Sequence, residues 1–455
     1  MKRKLKRTMA ASIAGMMAFS LAACGSSGGT ESTGESDAAE APAEKYSDST
    51  SIKTLAEALN PDEEVELDLW CIANESDSYH NAYVTALEDF EKTYPKVKVN
   101  IEYYENESYK TKLKSAMAAD EIPDIVYSWQ GGFSQSFAEA GKLLSLTPYY
   151  EAEYTELLPE SHTQNGRYVD GSLYTTSFSV NCSLLMYNKK IFSQYGLTAP
   201  TTWDEFMEVC QKLADNGVAP IATSAKDVWC LAVLHDALGL KSAGHDKTVA
   251  ALTRSGGSYD DDDFLFAAQQ IQKLTEMGAF VEGAAGLSYN EQLELFRTGG
   301  AAMMPQLANA CMDVYNAADN PDDFDVVRIP VVGDNAAVTD MVGGASESFL
   351  VSAETEYPDQ AAYAAFELSR RIAAVAQEDG VTTSPWTDTP ATEGLSEFQQ
   401  KIEDYKAQAT SYCLWWDTTM IADDAAEYLS LLEQLYTGDI TAEDFVAGMD
   451  AQLSN

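Results

Sequence analysis

The sequence has few groups that typically carry out catalysis. It has only four histidines among 455 residues, and they are scattered at His80, His162, His235 and His245. It contains no P-loop, no S-x-x-K and no H-E-x-x-H. We therefore expect no enzyme activity, no metal site and no cofactor. A glycoside hydrolase stays as an alternative, because it needs only two acidic side chains at a suitable separation.

Positive charge is scarce as well. The chain has 29 Lys and Arg against 72 Asp and Glu, which gives a formal net charge of −43. A surface of this sign repels phosphate backbones and anionic lipid head groups, which excludes nucleic acid and a lipid surface as direct partners. The balance favours a neutral or cationic ligand.

Cysteine pairs at short spacing are also absent. None of the seven cysteines forms a C-x-x-C, and the six that follow Cys24 lie mostly in apolar segments. Free, buried thiols are therefore expected, rather than a disulfide framework or a zinc site. The six are Cys71, Cys182, Cys210, Cys230, Cys311 and Cys413.

The one apolar run near the start, residues 9–21, is too short to cross a bilayer. It follows a basic segment and ends in Leu21-Ala22-Ala23-Cys24, which resembles a bacterial lipobox. We expect residues 1–23 to be a lipoprotein signal peptide and Cys24 to carry the lipid, palmitate included. We expect residues 24–49 to be a flexible tether, because 25–48 contain no Leu, Ile, Val or Phe. The expected location is the extracellular face of a bacterial membrane.

The length exceeds what one hydrophobic core usually supports, so two lobes are expected. Strands predicted at 65–72, 97–103 and 123–127 alternate with helices, which indicates a mostly parallel sheet wound on both faces. Ligands bind beyond the carboxyl ends of such strands. This predicts binding at Asn74 and Glu75 after the first strand and at Trp129 and Gln130 after the third.

Residues 173–206 predict the crossing between the lobes. Two strands, 174–180 and 184–187, precede a short amphipathic turn and a new helix that begins after Thr201 and Thr202. We interpret 180–188 as a hinge strand. An ordinary sheet edge inside a single domain is the alternative. The expected N-terminal lobe is 50–182 with 335–385, and the C-terminal lobe is 183–334 with 386–455.

Four aspartates at 260–263 precede a predicted helix. The simplest interpretation is a helix N-cap with a favourable interaction with the helix dipole. A calcium loop is the alternative, although the spacing differs from that of an EF-hand.

Several motifs in this order carry a family resemblance. They are FEKTYPKVKV at 90–99, IPDIV at 122–126, YNK at 187–189 followed by PTTWDEF at 200–206, FRTGGAAM at 296–303 and YTGDITAEDF at 436–445. Together with the lipobox, they make residues 64–453 similar to the extracellular solute-binding lipoproteins of sugar ABC transporters, in the maltodextrin-binding-like branch.

The resemblance implies an α/β, two-lobe periplasmic-binding-protein-like fold of type II, in which each lobe is a mixed sheet flanked by helices and a hinge joins the lobes. It further implies a sugar or oligosaccharide bound in the cleft, import through ABC transporter permease subunits, and a monomer. Aromatic rings would cover the apolar faces of the sugar, and carboxylates and amides would bind its hydroxyls.

Candidate ligand-binding residues are aromatic and polar side chains at loop mouths. They are Asn74, Glu75, Trp129, Gln130, Asp227, Trp229, Gln306, Asn309, Gly344, Glu347, Trp386, Trp415, Trp416 and Asp417. For each tryptophan the alternative is core packing, to which we assign Trp70 and Trp203. The chain departs from the family pattern at 305–309, PQLAN, where a Gly-x-Trp is common. A polyamine or another small cation is the alternative ligand.

Overall fold

The structure is a computed structural model that describes residues 52–75 and 77–453. The predicted signal peptide, Cys24 and the tether lie outside these residues. Within the described residues, no helix is both long and apolar enough to span a bilayer.

The strands form two separate five-stranded sheets, with the order β2-β1-β3-β9-β4 in the first and β10-β8-β5-β6 in the second, where β7 also pairs with β5. In chain order the strands are β1 (Val65–Cys71), β2 (Val97–Tyr103), β3 (Ile125–Trp129), β4 (Thr176–Ser177), β5 (Val180–Asn188), β6 (Met303–Leu307), β7 (Phe324–Val327), β8 (Asp340–Ala345), β9 (Glu347–Val351) and β10 (Ser411–Cys413).

Helices cover both sheets. In chain order they are α1 (Leu55–Ala58), α2 (His80–Thr93), α3 (Asn106–Ala119), α4 (Gly132–Glu139), α5 (Thr147–Glu153), α6 (Glu160–Thr163), α7 (Lys189–Gln194), α8 (Trp203–Asp215), α9 (Trp229–Ala243), α10 (His245–Leu252), α11 (Asp262–Glu276), α12 (Tyr289–Arg297), α13 (Ala308–Ala317), α14 (Pro358–Glu378), α15 (Glu397–Ala407), α16 (Trp416–Thr419), α17 (Ala422–Thr437) and α18 (Ala442–Gln452).

We call the first sheet and the elements packed on it the first half. Strand β1 runs parallel to β2 and to β3, with α2 and α3 in the connections, so their carboxyl ends meet at one edge. Strands β9 and β4 complete the sheet in antiparallel pairings. The alternation of strands and helices therefore predicted this half correctly.

The second sheet and its elements form the second half, and β5 is its central strand. Alternate residues of β5 enter different cores, with Leu185 in one hydrophobic cluster and Leu184 and Met186 in another. The predicted strand 180–188 is confirmed to the residue. The predicted strand 174–180 shortens to β4, Thr176–Ser177.

The chain passes from one sheet to the other three times, between β4 and β5, between β8 and β9, and between β9 and β10. Strand β8, at 340–345, pairs with β5 and β10 and therefore belongs to the second sheet. The expected N-terminal lobe, which resumes at 335, includes this strand. A third strand-like link lies nearby, where the Val180 amide donates to the Thr383 carbonyl at 2.9 Å.

The helix starts follow their predicted caps. Thr202 and Glu205 form a capping box at the start of α8. Asp261 is the N-cap of α11, and the Lys247 ammonium lies 2.9 Å from Asp261 and 2.6 Å from Asp263. The N-cap interpretation is confirmed. No cluster of His, Cys, Asp or Glu that could hold a metal occurs among the described residues.

The six cysteines of the described residues are free and buried, as predicted. Burial raises the pKa of the Cys71 and Cys182 thiols, the latter to about 12. These thiols are therefore apolar packing groups.

Candidate functional site

A cavity of about 840 Å³ lies between the two halves and is walled by both. The first half contributes the turn after β1, the end of β3 and one face of α3. The second half contributes the starts of α9, α12 and α13 and the segment from Trp415 through α17. The polar and aromatic lining residues are Asn74, Asp77, Ser78, Glu105, Asn106, Glu107, Lys110, Thr111, Lys114, Tyr127, Trp129, Phe133, Lys226, Asp227, Trp229, Ser288, Tyr289, Asn290, Asn309, Asp313, Ser346, Glu347, Trp415, Asp417 and Thr418.

The turn after β1 is fixed largely by its own backbone. The Asn74 amide donates to the Ile72 carbonyl at 2.7 Å, and the Asp77 amide donates to the Asn74 carbonyl at 2.9 Å. The Asp77 carboxylate accepts from the Tyr79 amide at 2.8 Å, just before α2 begins. This turn brings Asn74 and Asp77 to the cavity at the strand's carboxyl end, where parallel sheets bind ligands.

Trp129 ends β3 and presents its indole to the cavity. Tyr127 and Phe133 contact it edge-on, with ring centroids 5.0 and 5.4 Å away. The Lys110 ammonium on α3 lies 5.4 Å from the Trp129 ring, within the range of a cation–π interaction. The ring is therefore held in a fixed orientation.

Glu347 begins β9, and a buried hydroxyl network holds its carboxylate. Its Oε2 accepts from Ser179 at 2.6 Å and from Ser346 at 2.8 Å. Tyr79 and Thr382 in turn donate to the Ser179 hydroxyl. The network orients the carboxylate in the region where the chain crosses between the sheets.

Trp229 enters the cavity from the start of α9, a helix buried over nearly its whole length. Its ring lies 5.1 Å from that of Tyr289, which opens α12. The Asp227 carboxylate accepts from the Tyr289 amide at 2.5 Å. Asp227 therefore joins the starts of the two helices and fixes this aromatic pair.

Trp415 and Asp417 lie on a short segment that α9 anchors from behind. The Trp415 indole donates to the Ser183 hydroxyl on β5 at 2.9 Å. The Trp416 amide donates to the Asp236 carboxylate at 2.9 Å, and Asp236 lies seven residues after Trp229. Seven residues are about two helical turns, so one face of α9 both carries Trp229 and holds this segment.

Asp236 belongs to a fully buried network with Tyr428 and His235. The Tyr428 hydroxyl donates to Asp236, and His235 Nδ1 lies 2.9 Å from that hydroxyl oxygen. Since the tyrosine proton goes to Asp236, the His235 nitrogen is the donor in the second bond. Burial lowers the pKa of His235 to about 3 and raises the pKa of Asp236 to about 7.

Three carboxyl groups in the cavity wall also have raised pKa values. Burial raises the pKa of Asp77 to about 6, of Asp313 to about 7 and of Asp417 to about 6. The negative charge of Asp77 adds to the shift of Asp313, although the Ser78 hydroxyl hydrogen-bonds to Asp313 and opposes it. Asp77 and Asp313 come from different halves, so their two charges meet across the cavity.

Asn309 reaches the cavity from the start of α13. Its side-chain oxygen accepts from the Asn181 amide at 2.8 Å, next to the crossing between the sheets. Asn74, Trp129, Asp227, Trp229, Asn309, Glu347, Trp415 and Asp417 were chosen from the sequence and line the cavity. Their role in binding stays a prediction.

Four further candidates, three of them polar, lie outside the lining, contrary to expectation. Glu75 is exposed, since the turn after β1 directs it away. Gln130 is fully buried and donates to the His162 carbonyl at 3.2 Å. Gln306 is fully buried on β6, where its oxygen accepts from the Leu307 amide. Gly344 is buried on β8 against Tyr412 and Leu414.

Two tryptophans are in cores instead of the cavity. Trp386 packs in the first half's core, 3% exposed, and its indole donates to the Ser177 carbonyl at 3.0 Å. Trp416 packs in the second half's core over Gly239, where an added Cβ would meet its ring at 2.4 Å. Trp203 is in the core, as predicted, and Trp70 packs against the first core.

Several lining residues were not predicted from the sequence. Asp77 and Ser78 follow Asn74 in the same turn, so the strand-end rule that found Asn74 could have found them. Asp313 is the single acidic residue in the otherwise uncharged helix α13, and this isolated charge could have marked it as a candidate. Lys110 and Tyr289 carried no local signal, because only the tertiary structure brings α3 and α12 to the cavity.

Comparison with known proteins gives a family and a set of structural relatives. The family model described as bacterial extracellular solute-binding protein matches residues 73–368. The multiple sugar-binding protein of Streptococcus mutans is 23% identical over 280 residues, which are 60% of this chain and 64% of that protein. The maltotriose-binding protein of Pyrococcus abyssi is 23% identical over 241 residues, covering 51% of this chain and 48% of that protein.

Two solved structures align over most of the chain. One comes from work on xylan utilization by the thermophilic bacterium Caldanaerobius polysaccharolyticus. It has a TM-score of 0.80 and 29% identity, and the alignment covers 85% of this chain and 100% of that chain. The other is a chitin oligosaccharide binding protein, with a TM-score of 0.78, 22% identity, 86% of this chain and 98% of that chain. These similarities show that the chain has the predicted two-lobe type II fold.

Proposed function

We propose a function from one premise: this chain belongs to the family of bacterial extracellular solute-binding proteins. We infer that it captures a sugar or an oligosaccharide in the cavity between its halves and delivers it to the permease subunits of an ABC transporter for import. The observation that carries this proposal is the cavity wall, in which Trp129, Trp229 and Trp415 accompany carboxylates and amides.

The chemistry of the wall suits a carbohydrate. The flat C–H faces of a sugar ring pack on indole rings, and the hydroxyls around the ring donate to carboxylates and amide oxygens. Glu347 and Asn309 are acceptors of this kind, and neighbouring side chains orient both. Such preorganisation lowers the entropy cost of binding.

Relatives with sugars or sugar polymers in their descriptions support this ligand class. The family consists of binding proteins, and we propose that this chain likewise binds its ligand without chemical change. The two halves would act as lobes that close on the ligand, with the crossings at 177–180 and 345–347 as the hinge. Each half supplies part of the wall, so closure would bury both kinds of contact at once.

We also propose that the protein is anchored outside the cell through a lipid on Cys24, with residues 24–49 as the tether, and that it acts as a monomer. Replacing Cys24 with Ala should release the protein into the culture medium and abolish incorporation of a labelled palmitate analogue. Unchanged membrane retention of the Cys24→Ala variant would refute the anchor and leave the sugar proposal intact.

A thermal-shift screen tests the main proposal, because a ligand that binds only the folded protein raises the melting temperature through mass action. The first probes are xylo-oligosaccharides, chito-oligosaccharides and malto-oligosaccharides, followed by simple sugars. At least one series should raise the melting temperature in proportion to the logarithm of its concentration. No shift with any carbohydrate would refute sugar capture.

One observation favours a second candidate, a small cationic solute. Among the described residues that line the cavity, carboxylates outnumber lysines: Asp77, Glu105, Glu107, Asp227, Asp313, Glu347 and Asp417 against Lys110, Lys114 and Lys226. A negative cavity attracts cations. A shift with spermidine and none with sugars would select this candidate.

A further inference from the structure

The main cavity continues into a smaller groove on the outer side of Trp229. The groove has a volume of about 250 Å³ and lies between α3 and α17. It shares part of its wall with the main cavity, namely Glu107, Lys110, Lys226, Trp229, Ala426 and Leu429. Three more residues, Val228, Ser430 and Glu433, line the groove but not the main cavity. The two spaces are therefore parts of one continuous surface, with Trp229 at their junction.

The groove offers the same combination of groups as the cavity. Trp229, Val228 and Leu429 supply aromatic and apolar surface, and Val228 and Leu429 pack against the second half's core from behind. Glu107 and Glu433 supply acceptors for hydroxyls, and Lys226 supplies a donor. The walls come from both halves, as they do in the main cavity.

We propose that this groove, which we call the outer groove, is a binding subsite for the terminal units of a linear oligosaccharide whose other units occupy the main cavity. The inference rests on the proposed function and refines its substrate class from sugars in general to chains with one end directed outward between α3 and α17. Trp229 borders both spaces, so its indole contacts the units at the point where the chain passes from the main cavity into the outer groove.

This arrangement has a consequence for affinity. A single sugar or a short chain is accommodated in the main cavity, within the volume range of ordinary ligand pockets, and leaves the outer groove to solvent. A longer chain also removes the apolar surface of Leu429 and Val228 from water. Affinity therefore rises again when the chain becomes long enough to enter the outer groove.

The experiment is a calorimetric titration of the purified protein with oligosaccharides of increasing length, from the series that raises the melting temperature. In the Ser430→Trp variant the larger side chain fills the outer groove, because Ser430 is exposed and lines this groove but not the main cavity. Glu427→Trp is the matched control, on the same helix and exposed, but outside both walls. In the unchanged protein and in the control, we expect chains long enough to enter the outer groove to bind roughly fivefold more tightly than chains one unit too short to enter it.

In the Ser430→Trp variant this last gain should disappear, while short chains should keep their dissociation constant. The inference is overturned if the variant binds long chains as tightly as the control, or if affinity stops rising at lengths that fill only the main cavity. Failure of every carbohydrate to bind would instead refute the proposed function itself, so the two failures are distinguishable.

Discussion

The two halves hold their cavity residues in different ways. In the first half, Asn74 and Asp77 lie in a turn whose bonds run between residues a few positions apart. In the second half, Trp415 and Asp417 lie on a segment that Asp236 holds from 180 residues away in sequence. The turn that carries Asn74 and Asp77 is thus fixed mainly by local backbone geometry, whereas a distant side chain holds the Trp415 segment. Glu347 of the first half resembles the second case, because Ser179 holds its carboxylate.

The difference shows how the two sides can fail. A substitution in the first-half turn removes one contact and leaves the strand ends in place. Loss of a buried anchor in the second half displaces several cavity residues together, because Asp236 is shared by the Trp416 amide and the Tyr428 hydroxyl. Four experiments test this difference.

The largest effect is expected for Asp236→Ala. It leaves two buried donors unpaired and should lower the free energy of unfolding by about 3 kcal/mol. Sugar affinity should fall as well, since the segment that carries Trp415 and Asp417 loses its anchor. Urea denaturation and calorimetric titration measure the two effects.

Asp236→Asn is the matched control, because it keeps a side-chain oxygen as acceptor and should lose less stability than the alanine variant. An alanine variant as stable as the unchanged protein would show that distant anchors do not hold the second half.

Trp229→Ala should come next, weakening sugar binding by roughly 30-fold, about 2 kcal/mol, as for a central aromatic residue of a binding site. Trp386→Phe is its counterpart in the first half's core. It loses the indole bond to Ser177 and should lower stability by about 1 kcal/mol with affinity unchanged. Equal loss of affinity in both variants would contradict the division of the two tryptophans between cavity and core.

Gly132→Ala tests the place where the halves touch. An added Cβ there would lie 2.3 Å from the Met420 carbonyl oxygen, so the start of α4 and the end of the 416–420 segment must separate. We expect affinity to fall about tenfold, since both halves wall the cavity. Gly286→Ala is the control, because nothing lies within 4 Å of its added Cβ. An unchanged dissociation constant for Gly132→Ala would mean that this contact does not set the cavity's shape.

The smallest effect is the pH dependence of stability. The folded pKa of Asp313, about 7, is above its ordinary value of 3.8, so the folded protein binds this proton more tightly than the unfolded chain. Stability from this group is therefore present at low pH and is lost as pH rises from about 4 to about 7. Asp313→Asn should flatten the profile over this window, measured by urea denaturation at several pH values. An identical slope in both proteins would refute the assignment.

The sequence predicted much of the architecture because the signals are local. Alternating strands and helices give the parallel part of the first sheet, and the apolar strand at 180–188 gives the crossing. The place of β8 in the second sheet was not predictable, because the strand has no local mark that assigns it to the second sheet rather than the first. Its pairing with Val180–Cys182 is a contact between distant segments.

The residues of the candidate site likewise divide into those with a local signal in the sequence and those without one. Asn74 and Trp129 follow strand ends, and that rule depends only on the handedness of β-α-β connections. Trp386 and Trp415 look alike in sequence, as tryptophans in loops next to the crossings. Each donates its indole proton to a serine oxygen and packs in a core, but Trp415, 7% exposed, also reaches the cavity. The difference therefore lies in which neighbours surround the ring.

Local sequence patterns were enough to predict the class of this protein: two sheet-and-helix lobes, an acidic surface, and aromatic and polar residues at strand ends. Periodicity and composition act over a few residues and survive without knowledge of the fold. The tertiary structure alone decided which tryptophans reach the cavity, which carboxylates face each other across it, and that Asp236 anchors its wall. Those properties depend on burial and on contacts between residues far apart in the chain, which no local pattern encodes.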